Sequence, residues 1–266
     1  MGGDLLDRRG RPVTVVSHPR SGTHLTIDFL RRQFNVCQAR KRPWERYDRL
    51  YLAMESLLDP RTRSDAAARD VARRCPRPVV KTHAYSITTL ESRWPEWTDW
   101  MLHGGHTIYI SRDPRPMLCS LYLYFQSFVP ESRVPFDEFL RQPSFGAANR
   151  IRFWADEIAA WHARDDTLFL RFEDVVRDPK TTLSRIEAFI GEKANWRDPL
   201  LPPRGGSLWT MRLKRFTSTC PDSTAILGFY GGMKSLDWRE TFTKKDLAFL
   251  KEHAGEAMTL LGYPVE

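Results

Sequence analysis

Four short runs of β-branched and aromatic residues alternate with helical patterns along the chain, and this alternation constrains the fold more than any other feature. The runs cover residues 12–17, 77–83, 106–112 and 167–173. Each has a continuous β-branched or aromatic stretch in place of an alternating pattern, which is typical of strands buried on both faces of a parallel sheet. Strands that alternate with helices predict an α/β fold, here a doubly wound parallel sheet flanked by helices.

Recognisable end signals accompany the helices. Asp-Pro pairs at residues 113–114 and 178–179 each place a capping side chain before a proline at the first helical position. The second of these helices is predicted to end at Gly191. We also predict an amphipathic helix that starts near Gly22 and a final helix over about residues 243–262.

The chain shows no internal repeat, so one domain over residues 1–266 is the simplest organisation. Residues 38–76 are Arg-rich, with aromatic and apolar residues at roughly helical spacing. They predict a helical insertion over one end of the sheet, near an acceptor site. Residues 191–240 are punctuated by proline and glycine and predict loops that close over a ligand.

Charge and composition narrow the choice of partner. The 41 Lys and Arg against 33 Asp and Glu give a formal charge of +8, which favours anionic partners. The basic residues are spread along the chain without a nucleic-acid-binding motif, so we predict a small charged ligand and no nucleic acid. With no apolar stretch of about 18 residues and no signal peptide pattern, we predict a soluble, cytoplasmic protein without a membrane partner. The four cysteines are far apart and lack metal-ligand spacing.

The turn after the first strand has the character of an anion site. The strand breaks at Pro19 and a helix begins near Gly22, which directs free backbone N–H groups and the positive end of the helix dipole to one point. Such a point attracts an anion. The same turn carries Arg20, Ser21 and Thr23.

Charged side chains also follow the other strands. Lys81 and His83 end the second strand, and their spacing of two places them on one face. Arg112 ends the third strand, and Arg171 and Glu173 end the fourth. Ligands of open α/β sheets bind beyond the carboxyl ends of the strands, so these groups are expected to share one site.

A nucleoside-triphosphate loop is the obvious alternative for this turn. The segment "SHPRSGTH" lacks the first glycine and the following lysine of the G-x-x-x-x-G-K-[ST] pattern, and no clear Walker-B run follows. Ligands for Mg²⁺ between two phosphates are therefore not evident. A nucleotide or small-molecule kinase remains the alternative, but the residues favour a phosphate-type anion held by backbone amides and Arg20 without a metal.

Five segments together resemble the soluble, cytosolic-type sulfotransferases. "HPRSGTHL" resembles their 5′-phosphosulfate loop and "VVKTH" resembles their Lys-Thr-His strand. "IYISRDPRPMLCSLYLYF" is similar to their 3′-phosphate segment, in which a serine follows an arginine by eight residues. "LFLRFEDVVRDPKTTLSRIEAFIG" and "LDWRETFT" resemble two later elements. The likeness spans about residues 17–262 in the family's order.

The resemblance implies a P-loop-like α/β fold and in-line transfer of a sulfuryl group, without a metal. The donor would be 3′-phosphoadenosine-5′-phosphosulfate (PAPS), the product 3′-phosphoadenosine-5′-phosphate (PAP), and the acceptor a hydroxyl or amine. His83 would be the general base, while Lys81 and Arg20 would neutralise the leaving phosphate. The implied cofactor contacts are Arg20, Ser21, Gly22, Thr23, His24, Arg112 and Ser120.

Several positions depart from the family pattern. Arg20 replaces a lysine, and Leu25 replaces a tryptophan. Phe172 replaces a tyrosine and is expected to supply a ring face to the adenine. The usual Arg-Lys-Gly near the C-terminus is absent, and Lys234 is the candidate for the missing 3′-phosphate cation. The alternatives to it are Arg212, Lys214 and Arg215.

The acceptor is expected to be a small molecule or a carbohydrate. Aromatic side chains that could line its pocket are His18, Trp44, Tyr47 and Tyr85. Residues 38–76 are basic enough to meet an anionic acceptor, such as a sulfated or phosphorylated sugar.

Overall fold

One parallel sheet of five strands organises the protein. The computed structural model describes residues 11–40, 42–43, 50–58, 64–129, 133–197 and 236–265. The strand order is β2-β3-β1-β4-β5, with every neighbouring pair parallel. The strands are β1 (Val13–Ser17), β2 (Leu52–Ala53), β3 (Val79–His83), β4 (His106–Ser111) and β5 (Thr167–Arg171).

Helices connect the strands. Before β4 they are α1 (Thr23–Gln33), α2 (Glu55–Leu58), α3 (Asp65–Arg73), α4 (Ile87–Arg93) and α5 (Pro95–Leu102). After β4 they are α6 (Pro114–Phe128), α7 (Phe136–Arg141), α8 (Arg150–His162), α9 (Phe172–Arg177), α10 (Pro179–Ile190), α11 (Trp238–Thr241) and α12 (Lys244–Leu260). The described part of the chain contains no helix with both the length and the apolar character needed to cross a membrane.

Helices cover both faces of the sheet. Val13 and Val15 of β1 pack with apolar residues of α1 and α10, whereas Val16 belongs to a second core shared with α5, α8 and α12. Each fully buried valine contributes roughly 1.5–3 kcal/mol by leaving water. Burial on both faces explains why the strands are continuously apolar. The prediction of a doubly wound parallel α/β sheet is confirmed.

The helix-end signals lie where the sequence predicts them. The Asp113 carboxylate accepts a hydrogen bond from the backbone N–H of Arg115 at 3.0 Å, at the start of α6. Asp178 accepts one from the backbone N–H of Thr181 at 3.1 Å, at the start of α10. That helix ends at Gly191, which has a left-handed φ of 70°.

The Arg-rich segment before β3 differs from its prediction. Residues 38–76 contain α2 and α3, but they also supply the edge strand β2, in which Ala53 pairs with Lys81. The described part of this segment is therefore not helical throughout, and its place near an acceptor site stays a prediction. A strand of two residues is too short to leave a periodic pattern. The aromatic candidates Trp44 and Tyr47 lie outside the described residues.

The loop-rich segment predicted over residues 191–240 is described only at its two ends. Residues 198–235 lie outside the described part, so a cover over the ligand stays a prediction. The cation candidate Lys234 and its three alternatives fall in this same stretch.

Candidate active site

The register of the sheet brings the predicted strand ends together. Ser17, the last residue of β1, pairs with His83 of β3 on one side and with Ile110 of β4 on the other. The segments that follow these three strands therefore leave the same edge of the sheet. They carry the turn after β1, the end of β3 and Arg112 after β4.

The turn between β1 and α1 has an unusual backbone. Arg20 has a φ of 71° and Gly22 a φ of 102°, both in the left-handed region. A Cβ atom at Gly22 would also lie 2.6 Å from Cδ2 of Phe172. Glycine is required here both by its conformation and by this close approach.

The N-terminus of α1 forms a cradle for an anion. Its N-cap, Gly22, has no side chain to cap the helix, and the first turn contains no acidic residue. The Ser21 hydroxyl is fully buried and has no hydrogen-bond partner in the described part of the chain. The hydroxyls of Thr23 and Ser17 lie 2.6 Å apart beside it. Free N–H groups and an unpartnered hydroxyl at a helix N-terminus are suited to a phosphate group.

Arg20 joins this turn to α6. Its Nε donates a hydrogen bond to Oγ of Ser120 at 3.0 Å, and its guanidinium lies 5.6 Å from the ring centre of Tyr124. Two side chains predicted to contact different phosphates of one cofactor are thus in direct contact.

Arg112 packs against the same turn. Its Nη1 donates to the carbonyl oxygen of Arg20 at 3.2 Å, and its guanidinium lies 4.5 Å from the ring centre of Phe172. Its Nε is buried and has no partner among the described residues. A fixed guanidinium with an unused donor is well suited to bind a phosphate. Phe172 contacts both Arg112 and the site of Gly22, and its contact with adenine stays a prediction.

His83 is held in one tautomer. Its Nδ1 lies 3.0 Å from the carbonyl oxygen of Ser17. A carbonyl can only accept, so Nδ1 carries the proton and the lone pair is on Nε2. Burial, and then the charge of Lys81, lower the pKa of His83 to about 3. The imidazole is therefore neutral at physiological pH.

Glu55, which the sequence interpretation missed, contacts both Lys81 and His83. Its Oε2 lies 3.1 Å from Nζ of Lys81, and its Oε1 accepts a hydrogen bond from the backbone N–H of His83 at 2.6 Å. Burial alone would raise the pKa of Glu55, but the charge of Lys81, the interaction with His83 and backbone hydrogen bonds together outweigh burial, and the pKa falls to about 2. The two side chains are an ion pair at neutral pH. Glu55 begins α2 two residues after the end of β2, a strand that the sequence interpretation did not predict.

The charges of Lys81 and Arg20, the two predicted catalytic cations, both affect the pKa of His24. Its Nδ1 is 3.5 Å from the hydroxyl of Tyr51. Burial, and then the charges of Lys81 and Arg20, lower its pKa to about 4. Two cations from different strand ends therefore act on one neighbouring side chain, as expected if they share a site.

Five aromatic side chains, of which His83 is the first, form a continuous series that we call the aromatic arc. His83 stacks on Tyr85, with ring centres 5.6 Å apart, and Tyr85 stacks on Phe145 at 4.2 Å. Phe145 contacts Phe153 at 5.1 Å, and Phe153 contacts His18 at 5.6 Å. His18 follows β1 and His83 ends β3, so the arc begins and ends at adjacent strands. Its rings form a wall next to the proposed base.

Phe145 is the exposed member of the arc. It is 60% exposed and has a φ of 46°, although it is not a glycine. Mutual backbone hydrogen bonds between Ser144 and Ala147 close the turn around it. A bulky residue in the left-handed region is strained, and such strain is often found at functional sites.

Arginines of the Arg-rich segment have acidic partners. Arg42 and Arg74 both pair with Asp70, at 3.0 Å and 3.2 Å. Arg69 pairs with Asp65 at 2.9 Å. These three side chains are held in local ion pairs, with Asp70 shared between two of them, so they do not by themselves support the expected attraction of an anionic acceptor.

A five-stranded parallel sheet with an anion cradle between its first strand and first helix defines a P-loop-like α/β protein. The sequence matches the sulfotransferase domain over residues 11–262, and the chain belongs to that family. The suspected relationship is therefore confirmed, and with it sulfuryl transfer as the general class of reaction.

Solved structures share this fold. Mouse sulfotransferase SULT7A1, complexed with PAP, is similar with a TM-score of 0.57 and 19% identity, over 99% of this chain and 95% of that one. The sulfotransferase domain from the curacin biosynthetic pathway is similar with a TM-score of 0.52 and 16% identity, over 97% of this chain and 100% of that one.

Proposed function

We propose that this protein transfers a sulfuryl group from PAPS to a hydroxyl or amine of a small acceptor, by in-line transfer with His83 as the base. The observation that carries the proposal is the neutral, tautomerically fixed imidazole of His83, which stands beside Lys81 and the anion cradle of α1. Membership of the sulfotransferase family and the PAP held by the mouse relative support the choice of donor.

The described residues fit a bisphosphate ligand. The Ser21 hydroxyl and Nε of Arg112 are buried polar atoms without partners there, and such atoms are costly unless a ligand or water satisfies them. Ser21, Gly22, Thr23 and His24 would hold the 5′ group, and Arg112 with Ser120 would hold the 3′-phosphate. PAPS, when bound, would supply an activated sulfuryl group on a phosphate that can leave.

His83 would take the proton of the attacking acceptor on Nε2. The carbonyl of Ser17 holds the opposite nitrogen and so fixes the direction of the ring. The nearby negative charge of Glu55 raises the pKa of His83 and would stabilise the imidazolium once the proton arrives. A positioned base of this kind contributes about 10²–10⁴-fold to rate.

Arg20 and Lys81 would stabilise charge on the departing phosphate. Arg20 contacts Ser120, and Lys81 contacts Glu55. Each cation therefore has a polar partner that holds it near the site before ligand binds. Electrostatic stabilisation of this type needs no metal.

Thermal unfolding with three nucleotides tests the proposal. We expect PAP to raise the Tm more than AMP does, because only PAP carries the 3′-phosphate that Arg112 would bind. Arg112→Ala should remove this advantage. Arg164→Ala is the matched control, because Arg164 precedes β5 at the opposite edge of the sheet and pairs with Asp166.

The same experiment distinguishes the alternatives. A nucleotide or small-molecule kinase predicts stabilisation by ATP with Mg²⁺ that a chelator removes. A nucleic-acid binder predicts tight, strongly salt-dependent binding to generic single or double strands. The proposal fails if PAP stabilises no more than AMP, or if its advantage survives Arg112→Ala.

A further inference from the structure

The carboxyl group of Glu173 joins three segments that are distant in the sequence. Glu173 lies in the first turn of α9, directly after Phe172. Its Oε1 accepts a hydrogen bond from the backbone N–H of Asp113 at 3.0 Å, and its Oε2 accepts one from the hydroxyl of Tyr263 at 2.9 Å. One carboxyl oxygen is therefore engaged with the strand end that carries Arg112, and the other with the segment after α12. The mechanism above gives this group no role.

The contact with Asp113 fixes the peptide that follows Arg112. The N–H that Glu173 holds belongs to the peptide unit between Arg112 and Asp113, just before α6 begins. Asp113 is the N-cap of that helix, and its own carboxylate accepts from the backbone N–H and the guanidinium of Arg115. Because a peptide unit is planar, holding its N–H restricts the backbone rotation that directs the Arg112 side chain.

The same carboxyl group adjoins the ring that packs on Arg112. Phe172 precedes Glu173, and its ring centre lies 4.5 Å from the Arg112 guanidinium. Nη1 of that guanidinium also donates to the carbonyl oxygen of Arg20 at 3.2 Å. A displacement of Glu173 would therefore disturb Arg112 in two ways, through the backbone at Asp113 and through the ring of Phe172.

Tyr263 is itself held in place, so it can fix the carboxyl group of Glu173. Its backbone N–H donates to the carbonyl oxygen of Met258 at 2.8 Å, at the end of α12. Arg171, the last residue of β5, donates from Nη1 to the carbonyl oxygen of Leu261 at 2.9 Å. Burial, and then the charge of Glu173, raise the pKa of Tyr263 above its ordinary value. The hydroxyl therefore stays protonated and remains a donor at physiological pH.

We infer that Glu173 and Tyr263 are positioning residues for the 3′-phosphate of the donor: Tyr263 holds the carboxylate of Glu173, and Glu173 holds the peptide and the ring that direct Arg112. The segment after the last helix would thereby set how strongly the protein prefers a nucleotide with a 3′-phosphate over one without it. The inference rests on the proposed function, because it concerns the phosphate that Arg112 is proposed to bind there.

Titration calorimetry of the full chain with PAP and AMP tests the inference. Tyr263→Phe removes the hydroxyl and keeps the ring, so the Kd for PAP should rise about three- to tenfold, because Arg112 is displaced and not lost. The Kd for AMP should change less than about twofold, since AMP has no 3′-phosphate. Glu173→Ala should give the same pattern. Glu173→Gln should keep the Kd for PAP within about twofold of the wild type, because an amide can accept from Asp113 and donate to Tyr263.

Two comparisons separate a positioning role from a general loss of stability. Tyr122→Phe is the matched control, because its hydroxyl donates one hydrogen bond of the same length, 2.9 Å, to the carbonyl oxygen of Val134. Its ring lies on the side of α6 that packs against α7, and its preference for PAP over AMP should equal that of the wild type. In the Arg112→Ala background, Tyr263→Phe should change the Kd for PAP less than about twofold, because the residue through which it acts is missing.

The outcomes distinguish this inference from the proposed function. If the wild type binds PAP no more tightly than AMP, the proposed function fails and the positioning role fails with it. If Arg112→Ala removes a preference for PAP that Tyr263→Phe leaves intact, the positioning role alone is wrong. Equal losses for PAP and AMP, or an effect of Tyr263→Phe that persists in the Arg112→Ala background, would also overturn it. The Tyr263 variants decide the question even if Glu173→Ala fails to fold.

Discussion

Nε of Arg20 donates a hydrogen bond to the hydroxyl of Ser120 at 3.0 Å, across one hundred positions of sequence. The contact joins the turn after β1 to the middle of α6. It links a side chain expected at the 5′ end of the nucleotide to one expected at its 3′-phosphate. Bound phosphates would therefore compete with this contact and rearrange both side chains together.

The first prediction concerns Ser120. Ser120→Ala removes the proposed donor to the 3′-phosphate and should weaken PAP binding by about 1.5–3 kcal/mol, the range for hydrogen bonds to charged groups. AMP binding should not change. Titration calorimetry with both nucleotides measures the difference. Ser184→Ala on the exposed face of α10 is the control, and equal losses for PAP and AMP would contradict the assignment.

The second prediction concerns His83. His83→Ala should lower kcat at least about a hundredfold, since the proposed base is lost, while PAP stabilisation stays within error. The pKa near 3 means that His83 is already neutral well below pH 7. In the wild type, kcat/KM should therefore not fall between pH 8 and pH 5 through protonation of this residue. A fall in this range that His83→Ala abolishes would show that the base titrates near neutrality.

The third prediction concerns Glu55. Its pKa falls from an ordinary 4.5 to about 2 on folding, so the ionised form stabilises the protein above pH 4.5. This contribution is lost as the pH falls toward 2. The Tm of Glu55→Gln should therefore be lower than that of the wild type at pH 7, and the difference between the two Tm values should shrink toward pH 3. Thermal unfolding across this range provides the measurement, and a constant difference at every pH would rule out the charge as its cause.

Glu55→Gln should also lower kcat without a matching rise in the KM for PAPS. The substitution removes the negative charge that stabilises the imidazolium of His83, but it keeps a side chain that can accept from the backbone N–H of His83. Initial rates at saturating PAPS measure this effect. An unchanged kcat would limit Glu55 to a structural role.

The fourth prediction concerns Gly22. Gly22→Ala should destabilise the protein by about 1–3 kcal/mol, because its φ of 102° is strained for alanine. The new Cβ would also contact Phe172 and should displace Arg112, so PAP binding should fall. Gly255→Ala is the control, because that helical site has room for a Cβ 3.5 Å from Val265. It should stabilise α12 by about 0.5–1 kcal/mol.

Denaturant unfolding measures both glycine variants. Similar free energies of unfolding for the two would contradict the argument from backbone conformation.

The sequence predicts the parts of the site that strands carry directly. Long buried strands leave a continuous apolar pattern, so the ends that hold Lys81, His83 and Arg112 can be found without a structure. The two-residue strand β2 leaves no such pattern, and Glu55 was missed with it. The contact of Arg20 with Ser120 likewise cannot be predicted from the sequence, because it depends on how α6 packs beside the turn after β1.

The aromatic arc was predicted only in part. His18 and Tyr85 are predicted from the sequence as aromatic candidates for the acceptor pocket, His18 because it lies beside the turn after β1. Phe145 and Phe153 come from a turn and a helix that no motif marks. These rings meet because α8 packs on the sheet in a particular orientation. The periodicity of the sequence alone does not give that orientation.

The two contacts of Ser17 bear on how acceptor selectivity could change among relatives of this protein. Its carbonyl holds the ring of His83, the proposed base, and its hydroxyl lies 2.6 Å from that of Thr23, the first residue of α1. The spacing between donor and base is thereby set by rigid backbone. New acceptors can then be accommodated by exchanging residues of the outer wall, and the chemical machinery need not be rebuilt. Swapping the turn around Phe145 between relatives is the natural starting point for redesigning selectivity.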